Sequence, residues 1–126
     1  MADSEDVAVQ LSAYLLERCE KLCEIQLPDG LDVIANEAFM GCKELRSVRI
    51  PDTVTVLGRE AFAECSALQK VQLGRGMTQL LRGTFRDCNK LRTINIPHQL
   101  TTLEKEVFLG CRNLSYISLD ADHPAF

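Results

Sequence analysis

The sequence predicts an α/β solenoid, a stack of equivalent coils in one domain. Two observations carry this reading. Cys19, Cys42, Cys65, Cys88 and Cys111 follow one another at intervals of 23 residues, and a leucine stands three positions after each: Leu22, Leu45, Leu68, Leu91 and Leu114. A fixed period of this length is the signature of stacked supersecondary units that bury their apolar edges only against neighbours. Four complete units run over residues 19–41, 42–64, 65–87 and 88–110, and a partial fifth runs from Cys111 to Phe126. In the second unit the apolar skeleton is Cys42, Leu45, Val48, Ile50, Pro51, Val54, Leu57, Ala61 and Phe62; the fourth repeats it as Cys88, Leu91, Ile94, Ile96, Pro97, Leu100, Leu103, Val107 and Phe108. Residues between these columns vary freely, so one chain separates its own core from its surface.

Each unit opens with a short strand. Ile25-Gln26-Leu27, Val48-Arg49-Ile50, Val71-Gln72-Leu73, Ile94-Asn95-Ile96 and Ile117-Ser118-Leu119 alternate apolar and polar, the period of a strand with one buried face. Pro28, Pro51 and Pro97 follow at once; without an N–H they end the ladder and turn the chain. Gly74 holds that position in the third unit and also permits a turn. Glu37-Ala38-Phe39, Glu60-Ala61-Phe62 and Glu106-Val107-Phe108 read as brief helical turns that carry a phenylalanine into the interior.

Residues 1–18 differ from the units. Asp3 or Ser4 can cap a helix whose first turn carries Glu5 and Asp6, and Val7, Leu11, Tyr14 and Leu15 fall on one face. Leu15, Leu16 and Cys19 also match Ala38, Phe39 and Cys42, so this segment reads as a degenerate repeat recast as an N-terminal capping helix. It lacks the basic polar face of a membrane-surface helix.

The string Leu45-Arg46-Ser47-Val48-Arg49-Ile50-Pro51, with Glu60-Ala61-Phe62-Ala63-Glu64-Cys65, resembles the BspA-like, or Treponema-type, leucine-rich repeats. The likeness covers residues 19–126. The commoner leucine-rich consensus has Asn or Cys just past the strand, where this chain has Gly30, Thr53, Gly76 and Gln99. The resemblance implies a curved, right-handed leucine-rich-repeat superhelix with short parallel strands on its inner face. It also implies adhesion roles at the cell surface or in secreted form, with no catalytic residue.

Equivalent cysteines among apolar columns read as small buried hydrophobes, so six free thiols are expected, with Cys23 in an exposed column. Secreted disulfide frameworks space their cysteines irregularly. Zinc would need converging ligands, and Cys19 and Cys23 have no histidine nearby. Catalysis has no support. His98 and His123 sit beside prolines without a nucleophile and carboxylate, and Gly74-Arg75-Gly76 lacks the Lys-Ser/Thr of a phosphate loop. Glu37, Glu60 and Glu106 recur at one position as solvated edge residues. No cofactor and no metal are expected.

The outward strand positions form the surface that can bind. One column holds Glu24, Ser47, Lys70, Thr93 and Tyr116; the next holds Gln26, Arg49, Gln72, Asn95 and Ser118; the positions before the strand supply Cys23, Arg46, Gln69, Arg92 and Ser115. Five strands about 4.8 Å apart give a face about 20 Å long. The formal net charge is −4, but it is unevenly spread. Residues 1–18 have four acids against one arginine and the first unit five acids against one lysine, whereas the third unit has four basic residues against one acid. Such polarity can orient a partner or favour head-to-tail contacts. Arg46, Arg49, Lys70, Gln72, Arg92, Asn95 and Tyr116 are therefore the candidate protein-binding residues, with Tyr116 beside Arg92 and Asn95 the best contact cluster. Net negative charge and the absence of an RNA-stacking motif argue against nucleic acid, and no apolar run is long enough to enter a membrane.

The functional expectation is a non-enzymatic protein–protein interaction module. Its alternatives are a spacer, a fragment of a longer surface protein, or self-association through the C-terminal edge. The acidic start lacks the pattern of a secretory signal, which places a complete chain in the cytoplasm and a fragment of a typical family member at the cell surface.

Overall fold

A computed structural model describes residues 23–119. Nine strands follow in order: β1 (Glu24–Ile25), β2 (Val33–Ile34), β3 (Ser47–Arg49), β4 (Val56–Leu57), β5 (Lys70–Gln72), β6 (Gln79–Leu80), β7 (Thr93–Ile96), β8 (Thr102–Leu103) and β9 (Tyr116–Leu119). The odd strands make one parallel sheet in the order β1-β3-β5-β7-β9, and the even strands pair as β2-β4 and β6-β8. Every pairing joins a residue to its equivalent one repeat on, as in Val48 with Val71 and Ile94 with Ile117. The sequence period is therefore the register of the sheet.

The core runs down the stack. Val48, Val71 and Ile94 point in from the large sheet, and Ile34, Leu57 and Leu80 come from the even strands. The prolines close the strands as expected, and Gly74 takes their place for a steric reason: a Cβ there would run into the carbonyl groups of Ile50 and Pro51 one coil away. Packing weakens at the last described coil. Ile117 and Leu119 are 47% and 50% exposed, although their equivalents Ile94 and Ile96 are 2% and 1% exposed.

Two expectations change. No helix occurs among the described residues, so the architecture is a parallel β-solenoid rather than α/β. The arms around Phe39, Phe62 and Phe85 are hydrogen-bonded turns, because alternate N–H groups leave their own coil. Glu37, Phe39 and Gly41 donate to the carbonyls of Arg59, Ala61 and Ala63, while Ala38 and Met40 donate within the turn to Ala35 and Glu37. The next arm repeats this from Glu60, Phe62 and Glu64 to Arg82, Thr84 and Arg86. A helix would hold those donors at its own i−4 carbonyls. Left-handed backbone accompanies the alternation, at Glu37, Glu60, Gly83 and Glu106 in one column and at Gly41, Glu64, Asp87 and Gly110 in another. The recurring glutamates thus mark a backbone column as well as an edge. The expected capping helix over residues 1–18 lies outside the described residues.

The thiol ladder has its own chemistry. Cys65, Cys88 and Cys111 donate their S–H to the carbonyls of Phe39, Phe62 and Phe85 in the preceding coil, at 3.2, 3.1 and 3.1 Å. Each of these carbonyls also accepts the N–H of the cysteine three residues on, so both lone pairs are used. Burial pushes the Cys65 thiol up to about 12 and the half-buried Cys111 thiol to about 11, and raises Cys88 further still. Cys42 is the exception to the expected set of free thiols. It is disulfide-bonded, and its partner lies outside the described residues, since Cys23, Cys65, Cys88 and Cys111 are all free.

Candidate functional site

The solvent face of the five-stranded sheet carries the expected columns. Glu24, Ser47, Lys70, Thr93 and Tyr116 are consecutive register partners, as are Arg49 with Gln72 and Asn95 with Ser118. Alternation fixes their direction in the middle strands, where the neighbouring Val48, Val71 and Ile94 are buried. Arg46, Arg49, Lys70, Gln72 and Arg92 are exposed, and Tyr116 is 65% exposed. Tyr116 lies against the Arg92 main chain, donating its N–H to the Arg92 carbonyl at 3.1 Å.

Asn95 does something else. Its Oδ1 accepts the Leu73 N–H at 2.6 Å, and its Nδ2 donates to the Leu73 carbonyl at 3.1 Å. The amide takes over where β5 has ended, since β5 and β7 pair only at Lys70–Thr93 and Val71–Ile94. Asn95 is half-buried and clamps two coils together, so its polar atoms serve the scaffold beneath the surface.

Electrostatics distinguish the sheet face from the return arms. Ion pairs among the described residues lie on the arms: Arg82 with Glu106 at 3.4 Å, and Arg86 with Glu60 at 3.6 Å and Asp87 at 2.8 Å. Arg46, Arg49, Lys70 and Arg92 make no such pair among the described residues. Exposed, uncompensated cations on a regular face are free to meet carboxylates of another molecule.

Two grooves open along this face. One, of about 780 Å³, crosses its N-terminal half and mixes signs, with Glu24 and Asp29 beside Arg49 and Lys70. The other, of about 620 Å³, lies at the corner leading into β7 and β9, lined by Gln69, Arg92 and Ser115 together with Lys90, Arg112 and Asn113. Arg92 is among the residues expected from the sequence, whereas Lys90 and Arg112 stand in the turn columns before the strands. The stacking period would have found them, because Arg112 follows Asn89 by 23 residues and so lies beside Lys90. No cluster of three or more potential metal ligands occurs among the described residues.

Comparison with known proteins agrees with this architecture. The model of the BspA type leucine-rich repeat region matches residues 9–124 in six copies. A leucine-rich repeat protein from Eubacterium ventriosum superimposes with a TM-score of 0.73 at 27% identity, over 78% of this chain and 27% of that one. A leucine-rich cell surface protein from Faecalibacterium prausnitzii gives 0.60 at 27% identity, over 79% of this chain and 32% of the other. One from Bacteroides capillosus gives 0.67 at 25% identity, over 79% and 76% respectively. The chain thus spans about a third or less of the first two. It has no match among curated proteins. Register at the repeat period, the phenylalanine–cysteine arms and a family match over nearly every residue place this chain in the BspA-type leucine-rich repeat family.

Proposed function

We propose that this protein is a non-enzymatic recognition module that binds a protein partner through the solvent face of its five-stranded sheet. The family consists generally of protein-interaction modules, which gives the class of function. The observation that carries the reading is the clustering of Arg46, Arg49, Lys70 and Arg92 on one regular sheet face, exposed and without an ion pair among the described residues, whereas Arg82 and Arg86 on the arms are paired. Tyr116 supplies an exposed aromatic anchor next to them, the combination typical of contact hot spots. Adhesion is a role this reading allows, in keeping with the cell surface protein among the structural relatives.

The test is affinity capture on immobilised protein, comparing the wild type with a variant carrying Arg46→Ala, Arg49→Ala, Arg92→Ala and Tyr116→Ala. Truncated hot-spot residues typically cost 2 kcal/mol or more each, so a captured partner should weaken by about a hundredfold or more. Equal retention by the two proteins would move the binding surface elsewhere.

A further inference from the structure

We propose that the groove formed by Lys90, Arg92 and Arg112 is a docking site for an acidic peptide segment. The inference rests on the recognition reading above and names the chemistry of the partner at one end of that face.

Three observations meet in the groove. Its charged lining is wholly basic, in a protein whose net charge is −4. None of the three cations has an ion pair among the described residues, although Arg82 and Arg86 on the arms are paired. The remaining lining is suited to a peptide main chain: the Gln69 amide and the Ser115 hydroxyl both donate and accept hydrogen bonds, and Leu114 adds a small apolar floor. Asn113 is held in place by its own bond, Nδ2 donating to the Asn89 carbonyl at 2.7 Å, which fixes the turn that presents Arg112. The cations occupy two successive coils, about 4.8 Å apart along the stack. An extended peptide advances about 6.6 Å between side chains on one face, so alternate carboxylates can reach Lys90 and Arg112 without bending the chain. Arg92 then lies under the peptide, with Tyr116 at the edge of the sheet.

Polyphosphate chains fit less well. Tracking a nucleic-acid backbone takes a longer run of cations than three, and the acidic first unit repels a polyanion extending past the groove.

Fluorescence anisotropy with a labelled decapeptide of alternating glutamate and serine tests the site, with a glutamine–serine decapeptide and a ten-nucleotide single-stranded DNA as comparisons. The acidic peptide should bind, the glutamine peptide should not, and binding should weaken as salt rises from about 50 to about 300 mM. Lys90→Glu with Arg112→Glu should reduce affinity at least about tenfold, while circular dichroism and thermal stability stay unchanged because both side chains are exposed and unpaired among the described residues. Absence of acidic-peptide binding, or binding indifferent to the two reversals, overturns the proposal. Tighter DNA binding lost in the same variant also overturns it, by assigning the groove to phosphate. Arg49→Ala with Tyr116→Ala separates the levels: a captured protein partner lost with this pair but kept by the Lys90→Glu and Arg112→Glu variant removes the groove and leaves the wider face.

Discussion

Phe62→Ala should destabilise the protein by about 3–5 kcal/mol, the cost of emptying a fully buried aromatic site. Phe62 has no solvent exposure and lies between two other rings, 4.8 Å from Phe39 with planes 5° apart and 5.8 Å from Phe85 with planes 15° apart. The ladder continues from Phe85 to Phe108 at 6.1 Å. Removing the middle ring therefore breaks two inter-coil contacts at once, each worth about 0.5–1.5 kcal/mol beyond the area buried. In a linear array, where each coil is held only by its neighbours, the loss is concentrated at two interfaces and can uncouple the halves. Urea denaturation followed by circular dichroism measures it. A cost below about 1 kcal/mol would mean that the phenylalanine column is not the spine of the stack.

The second large effect is a loss of stability in alkali. Burial raises the Cys65 thiol to about 12 and Cys88 beyond that, while an unfolded cysteine titrates near 8.5. The folded state keeps these protons where the unfolded state releases them. Stability from the thiols is thus fully present below about pH 8.5 and falls as pH climbs toward the folded-state values. Each thiol contributes a slope of up to about 1.4 kcal/mol per pH unit, so the two together should remove on the order of 4 kcal/mol by about pH 10–11. Cys111, half-exposed at the end of the described stack, adds less. Denaturation midpoints measured from pH 7 to 10.5 should fall for the wild type and fall markedly less for Cys65→Ala with Cys88→Ala. An identical pH profile in that variant would remove the thiols as the cause.

Much of this molecule can be read from its period. Apolar columns became core except at Leu103, Ile117 and Leu119, which are exposed, the alternating triplets fell in β3, β5, β7 and β9, and the outward columns became register partners. The arms are turns although Glu-Ala-Phe favours a helix locally, because the Glu and Phe N–H groups are taken by carbonyls of the next coil while the Ala N–H stays within the turn, which no local propensity registers. Asn95 reads in sequence as one more polar surface residue; its role depends on the β5–β7 pairing stopping at Val71 and Ile94, which leaves the Leu73 main chain to its amide. Lys90 and Arg112 were hidden for the same reason as the arms. They are distant in a local window and adjacent across the stack. The Cys42 disulfide departs from the ladder through a partner beyond the described residues, so equivalence of spacing did not guarantee equivalence of redox state.

The central claim is that the repeating residues build the stack while the variable residues of the sheet face make the contacts. Amide chemical-shift mapping of isotope-labelled protein titrated with the glutamate–serine decapeptide tests it most directly. Shifts should concentrate at Lys90, Arg92, Arg112, Ser115 and Tyr116 and reach toward Arg49, with Val33, Val56, Arg59 and Arg82 on the return arms unmoved. Shifts centred on the arms, with the sheet face silent, would contradict it.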